Sequence, residues 1–343
     1  MKLSEFQYDL PEKYIAQYPP EVRGTTRLIV LNRRNQSIEH SKYAQLDKYL
    51  NPGDCIVLND TKVLPARLFA SGKGNKKRVE IFLLKNINPT ENIWEVIIGG
   101  ARKVRDERYL VLEDEKTEVE IKQNEHGRPR LIKFPQNTEK LIIKLGHTPL
   151  PPYIKRKDTD EDVKRYQTIF AKEAGAVAAP TASLNFTEEL IKKLENKGVK
   201  IVYITLHVGW DTFAPITEED VEEHEIHSEW FSIEEEDAKV INEVRKAGRK
   251  VLTVGTTATR VLETVANDNG TVNAKTGESR IYIYPGYKFK CADMMLTNFH
   301  VPGSTVLLMT AAFAGKDFLF RAYEEAKKRN YKFLSYGDSM LII

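Results

Sequence analysis

The residues able to do acid–base or anion-binding chemistry gather in a few short stretches in the second half of the chain. Gly255-Thr256-Thr257 follows the apolar run Val251–Val254 and opens a helical pattern. Such a junction presents free backbone N–H groups and the positive end of a helix dipole, which suits a phosphate or carboxylate. Arg260, three residues on, can add a fork of donors. The plain alternative is an ordinary turn with a threonine cap and a surface arginine. His207 and Asp211 lie in Leu206–Phe213, just past another apolar run, where proton transfer is the natural chemistry. Glu223–Glu229 holds His224 and His227, three apart and surrounded by acids. With Glu229 they would form only an incomplete metal set, and the H-E-x-x-H spacing is absent, so no metal is expected. Asn298 and His300 follow a further apolar run, and Tyr336 and Asp338 sit in Ser335-Tyr-Gly-Asp338. Each stretch alone also fits a structural role. Four polar loops at strand ends favour a shared pocket.

The elements that would position these residues follow from period and punctuation. Thr187 can cap a helix whose apolar face is Leu190, Ile191 and Leu194 and which Gly198 stops. A strand is expected over 199–208, a helix over 234–247, a strand over 251–254 and a helix over 257–265. Further strands are expected at 281–284, 294–297 and 333–335, with helices over 305–313 and 317–328 between the last two. This alternation predicts an α/β domain with a mostly parallel sheet. Residues 79–84, 93–98, 109–112 and 119–121 are instead rich in β-branched and aromatic types, with turn-like stretches at Ser71–Asn75 and Glu125–Pro129. They predict an inserted all-β, barrel-like domain over 62–150. Residues 1–61 and 151–343 would form the α/β domain, and the Pro-rich Thr148–Pro152 a stiff connector.

Composition narrows the function classes. The chain has 343 residues, 41% hydrophobic and 29% charged, as in folded proteins of ordinary type. No apolar run has the length of a bilayer span, and the longest candidate, Thr305–Phe313, suits a short buried helix. Two cysteines, Cys55 and Cys291, build neither a disulfide framework nor a cysteine-based zinc site, so a cytoplasmic protein is expected. The net charge is +3, and its distribution is uneven. Residues 62–150 carry 18 Lys+Arg against 12 Asp+Glu, and the rest of the chain 34 against 37. A basic inserted module suits a polyanion such as RNA, although it also suits a solvated surface. No phosphate-binding G-x-x-x-x-G-K-[ST] loop, dinucleotide fingerprint or nucleophile elbow is present.

Whole blocks of the chain, in order, resemble the S-adenosylmethionine:tRNA ribosyltransferase-isomerases of queuosine biosynthesis. They are Asn59-Asp-Thr-Lys-Val-Leu-Pro-Ala-Arg67, Pro149–Ile154, Tyr166-Gln-Thr168, Gly175–Ala182, Thr205-Leu-His-Val-Gly209, Glu223–Glu229, Gly255-Thr-Thr257, Tyr284-Pro-Gly-Tyr287, Leu296–His300 and Ser335–Met340. The resemblance implies an enzyme that moves the ribosyl part of S-adenosylmethionine to the aminomethyl arm of a 7-deazaguanine at the tRNA wobble position, giving epoxyqueuosine. It implies S-adenosylmethionine as co-substrate and tRNA as partner; a monomer with no membrane attachment is expected. The implied cofactor-binding residues are Thr181, Asn185, Gly255, Thr256, Thr257, Arg260, Asn298, His300, Tyr336 and Asp338. Arg67, Lys76, Lys77 and Arg78 would face the RNA. A sulfonium acidifies the neighbouring ribose carbon, so a base is needed. His207 is a candidate, with Asp211, His224 and His227 as rivals. The chain departs from the family pattern at Ser183, Asn185 and Asp211, where glycine, histidine and glycine are usual. A paralogue with another acceptor, a non-catalytic RNA-binding protein and, more weakly, a metal-dependent hydrolase using His224 and His227 are the alternatives.

Overall fold

Strand Cys55–Asn59 is apolar without alternation because both of its faces are covered. Cys55 and Val57 pack on one side, Ile56 and Leu58 on the other, and all four are fully buried. In the computed structural model, which describes residues 1–122, 130–136, 138–209 and 216–343, this strand lies at the heart of a nine-stranded sheet. The spatial order is Lys275–Ser279, Glu229–Ile233, Lys200–Leu206, Cys55–Asn59, Val251–Val254, Met294–Asn298, Ser339–Ile342, Arg27–Asn32 and Ser37–Lys42. Lys200–Leu206, Cys55–Asn59, Val251–Val254 and Met294–Asn298 form a continuous parallel block. Both flanks turn antiparallel, apart from the parallel pair Arg27–Asn32 with Ser339–Ile342. The α/β class and the inserted barrel agree with expectation. The sheet as a whole is mixed, its parallel part being that central block.

Helices cover both faces. Glu235–Lys246 and Gly255–Val265 bury Ala238, Ile241, Val244, Ala258, Val261 and Leu262 on the side of Cys55 and Val57. Glu188–Asn196 buries Leu190 and Leu194 on the other side, its Thr187 hydroxyl accepting from the Leu190 N–H at 3.1 Å. Thr305–Ala314 and Lys316–Lys328 close a further cluster over Ile29, Leu31, Met295 and Ile342. No helix among the described residues is long and apolar enough to cross a membrane.

Three local expectations are corrected. The helix after Val254 starts at Gly255, not Thr257, so Thr257 lies inside the first turn rather than capping it. Residues 281–284 are not a strand; Ile283 is buried, but the backbone joins no ladder. Residues 333–335 also fail to form a strand, because Leu334 has φ +68°, a left-handed conformation that breaks extended pairing. The last strand is Ser339–Ile342 instead.

The inserted module is a closed barrel of six antiparallel strands, Arg67–Gly72, Arg78–Asn88, Ile93–Gly99, Tyr109–Leu112, Glu118–Lys122 and Arg130–Lys133. Alternate residues such as Leu68, Ala70, Val79, Ile81, Val96 and Leu110 fill its interior, and closure leaves no free edge. The turn expected at Glu125–Pro129 lies outside the described residues. Two features tie the barrel to the sheet. Thr61–Val63 pairs in parallel with Glu173–Ala176, and Lys85 Nζ lies 2.7 Å from Glu278 on the edge strand.

Candidate functional site

The C-terminal ends of the four central parallel strands deliver Thr61, His207, Gly255 and Asn298 to one region, the place where open α/β sheets bind ligands. Asn59 locks two of these ends together. Its side chain donates to the Leu206 carbonyl at 3.0 Å and accepts from the Leu206 and Thr61 N–H groups at 3.1 Å. Three cavities adjoin there, of about 480, 710 and 380 Å³. The first and third share Thr256, Thr257 and Val306; the first and second share His227 and Glu229; the second and third share Val208.

Thr256, Thr257 and Arg260 line the 480 Å³ cavity, together with His224, His227 and Glu229. Arg260 is not a surface arginine. Its side chain is 9% exposed and forms an ion pair with Glu229, itself 7% exposed. The other Glu229 oxygen accepts from the Gly209 N–H at 2.8 Å. Glu229, weighed above as a metal ligand, is thus the counter-charge of Arg260. Only one Arg260 nitrogen is so used. Its Nε and Nη2, and the Thr257 Oγ1, are buried with no hydrogen-bond partner among the described residues. Buried unpaired donors are costly, and three such atoms beside a helix N-terminus are chemically suited to an anion.

His207 faces the 710 Å³ cavity between barrel and sheet. Its Nδ1 is 2.8 Å from Thr61 Oγ1, and its ring stacks on Trp230 with centroids 4.7 Å apart. Burial lowers its pKa below the ordinary imidazole value, against a weaker opposing pull from Glu173. A neutral imidazole at neutral pH can take a proton. Gly175 lies against the same ring, where a Cβ would come within 2.5 Å of Nε2.

The remaining expected residues scatter more widely. Asp211 lies outside the described residues. His224 and His227 lie beyond the short helical turn Val221–Glu223, in backbone that is not helical. His224 Nδ1 pairs at 2.8 Å with Glu218, not with the neighbouring acids, and this contact helps hold the Glu218 carboxyl down at about 2. Thr181, Asn298 and His300 line the 380 Å³ cavity with Gly255. Thr181 Oγ1 donates to Asn298 Oδ1 at 2.9 Å, His300 Nε2 is 2.9 Å from Thr297 Oγ1, and burial pushes the His300 imidazole down to about 3.

Asn185, Tyr336 and Asp338 line none of these three cavities. Asp338 accepts from the Arg27 and Lys332 N–H groups at 2.7 and 2.8 Å and from the Arg27 guanidinium at 3.0 Å. The Tyr336 hydroxyl donates to Asp162 at 2.8 Å. Asn185 sits beside Tyr336 in a separate crevice, and Ser183 is fully buried and lines none of these cavities. On the barrel, Lys76, Lys77 and Arg78 are exposed, with Arg78 paired to Glu113 and stacked over Phe69. Arg67 instead donates to the Leu150 carbonyl at 3.1 Å and pairs with Glu80 at 3.0 Å. Among the described residues no group of three or more His, Cys, Asp or Glu is placed to hold a metal ion. The sequence left Trp230, Gly175 and the Arg260–Glu229 pair unrecognised as site features. All three depend on contacts between segments far apart in the chain.

Comparison with known proteins places this arrangement in a family. A family model described as "Queuosine biosynthesis protein" matches residues 3–342. The S-adenosylmethionine:tRNA ribosyltransferase-isomerases of Thermoanaerobacter sp. (strain X514) and Acetivibrio thermocellus are 47% and 44% identical, over 100% of this chain and of each relative. The crystal structure of S-adenosylmethionine tRNA ribosyltransferase from Thermotoga maritima is similar with TM-score 0.55 and 35% identity, covering 99% of this chain and 100% of that one. With end-to-end matches at this identity, the chain belongs to the queuosine biosynthesis family whose members include these S-adenosylmethionine:tRNA ribosyltransferase-isomerases.

Proposed function

We propose that this protein is an S-adenosylmethionine:tRNA ribosyltransferase-isomerase. It transfers and isomerises the ribosyl moiety of S-adenosylmethionine onto 7-aminomethyl-7-deazaguanine at the tRNA wobble position, giving epoxyqueuosine. The observation that carries this reading is the full-length identity of 44–47% to proteins of that name. The site geometry is compatible with a division of roles. The unpaired donors of Arg260 and Thr257, at the N-terminus of helix Gly255–Val265, take the methionine carboxylate. Thr181, Asn298 and His300 border the adjoining space and complete the cofactor site. His207, kept neutral by burial, removes the proton next to the sulfonium, and His224 or His227 assists from the neighbouring cavity. Because the sulfonium is already an activated leaving group, the chemistry asks for a base and matched charges rather than a Lewis acid. The exposed basic hairpin Lys76–Arg78 meets RNA phosphates, and the protein acts in the cytoplasm as a monomer.

The test incubates the protein with S-adenosylmethionine and tRNA bearing the aminomethyl-deazaguanine, then identifies the digested nucleosides by mass. Adenine and methionine should be released together, and only with the acceptor present. Release of S-adenosylhomocysteine would show methyl transfer and overturn the reading.

A further inference from the structure

The 710 Å³ cavity has two walls, and only the sheet wall, with His207, enters the roles above. The other wall is the end of the barrel. There, Trp94 and Asn86 are direct register partners on adjacent antiparallel strands, so their side chains are neighbours on one face. Trp94 is 7% exposed, yet its indole Nε1 has no hydrogen-bond partner among the described residues, and neither has the buried Oδ1 of Asn86. An indole N–H can only donate and an amide oxygen can only accept. A barrel mouth thus holds an unsatisfied donor beside an unsatisfied acceptor, each of which carries a desolvation penalty while it stays unpaired. The local backbone is arranged for this. Register shifts fall on both sides of Asn86, between Leu83 and Lys85 and between Asn86 and Asn88. Such bulges re-aim side chains. Here they allow Lys85 to reach Glu278 across the domain junction while Asn86 lines the cavity beside Trp94.

The surroundings suit a flat, partly apolar ligand. Leu64, Leu84, Ile142 and Trp230 border the space, and Trp230 is 37% exposed although large and aromatic. Apolar and aromatic surfaces around a few directed polar groups are how single nucleobases are held.

We infer that Trp94 and Asn86 form the specificity-determining pair for the acceptor base, reading its lactam edge. The indole N–H donates to the ring carbonyl, and the Asn86 oxygen accepts from the adjacent ring N–H. This deepens the function proposed above and rests on it. A guanine-type edge presents a carbonyl acceptor next to an N–H donor and satisfies both residues. An adenine-type edge reverses the order, setting an amino donor against the indole N–H and a bare ring nitrogen against the amide oxygen. Sites built on such bonds reject the wrong partner strongly, because mismatched buried groups stay unpaired.

The experiment uses the whole protein and two anticodon stem-loop RNAs, one with 7-aminomethyl-7-deazaguanine and one with 7-aminomethyl-7-deazaadenine at the wobble position. Adenine release gives kcat/KM for each, and S-adenosylmethionine binding is measured separately by calorimetry. The wild type should prefer the deazaguanine RNA by at least about 100-fold. Trp94→Phe and Asn86→Leu should each shrink that ratio at least about tenfold, with S-adenosylmethionine affinity unchanged within threefold. Asn86 is only half-buried, so its variant answers the question even if Trp94→Phe loosens the barrel. Wild-type turnover with undiminished discrimination in Asn86→Leu, or loss of cofactor binding in step with loss of discrimination, overturns the pair assignment alone. A wild type that releases no adenine with the deazaguanine RNA overturns the function beneath it as well.

Discussion

Replacing Gly175 with alanine tests whether the position of His207 sets the rate. The added Cβ would lie 2.5 Å from His207 Nε2 and 2.6 Å from Cδ2. Ordinary contact between such atoms is about 3.5 Å, so the ring must retreat by about 1 Å. It has little room. Trp230 is stacked on it at 4.7 Å and Thr61 holds Nδ1 at 2.8 Å. Moving the ring forfeits that hydrogen bond, about 1 kcal/mol, and adds overpacking of about 1–3 kcal/mol. The expected loss of stability is about 2–4 kcal/mol, visible as a lower denaturant midpoint. A displacement of about 1 Å in a reacting group lowers rate by roughly 100-fold. Turnover is followed by adenine release at saturating S-adenosylmethionine and tRNA. Cofactor affinity, proposed above to rest on Arg260 and Thr257 away from this ring, should stay within about threefold. A folded Gly175→Ala protein with kcat within threefold of wild type would refute the assignment of His207 as the base.

Arg260→Leu breaks the buried ion pair with Glu229, so it should cost about 3–5 kcal/mol of stability and abolish measurable S-adenosylmethionine binding in calorimetry. The acid limb of the kcat/KM profile should fall below the ordinary imidazole value of 6.5, because burial lowers the His207 pKa. The same direction governs folding. His207 and His300 bind protons more readily in the unfolded chain, so stability is fully present above pH 6.5 and declines as pH falls toward about 3, which denaturant titrations at stepped pH would show. Reversing Lys76, Lys77 and Arg78 to glutamate should weaken tRNA binding and reduce its log–log salt slope by roughly 2–3, with S-adenosylmethionine binding unchanged. Chelator-treated protein should keep full turnover, and activity lost with zinc and regained on its return would promote metal-assisted chemistry instead.

The elements most legible in the sequence are those whose signals are local. The Thr187 cap with Leu190 and Leu194, the apolar run at Val251–Val254 and the stop at Gly248 specify their helix or strand through a few neighbouring residues. The barrel is legible for a similar reason, since residues 79–84 and 93–98 carry their β-branched and aromatic types in the strands themselves. Arg67–Gly72 and Ser339–Ile342 were hidden, the first by small and polar residues, the second because it follows directly on the turn-like Ser335-Tyr-Gly-Asp338; each is a strand because partners lie on both sides. Ile281–Tyr284 shows the converse, a strand-like composition whose backbone meets no ladder. Family membership was legible because it is written in ordered blocks along the chain. Pairing across the site was not. That Arg260 neutralises Glu229, that Gly175 makes room for His207, and that the barrel sets Trp94 and Asn86 opposite that histidine are consequences of chain crossings. A side chain's charge, neutrality or unmet hydrogen bond is decided by whatever distant segment the fold brings against it, and only the tertiary structure supplies that neighbour.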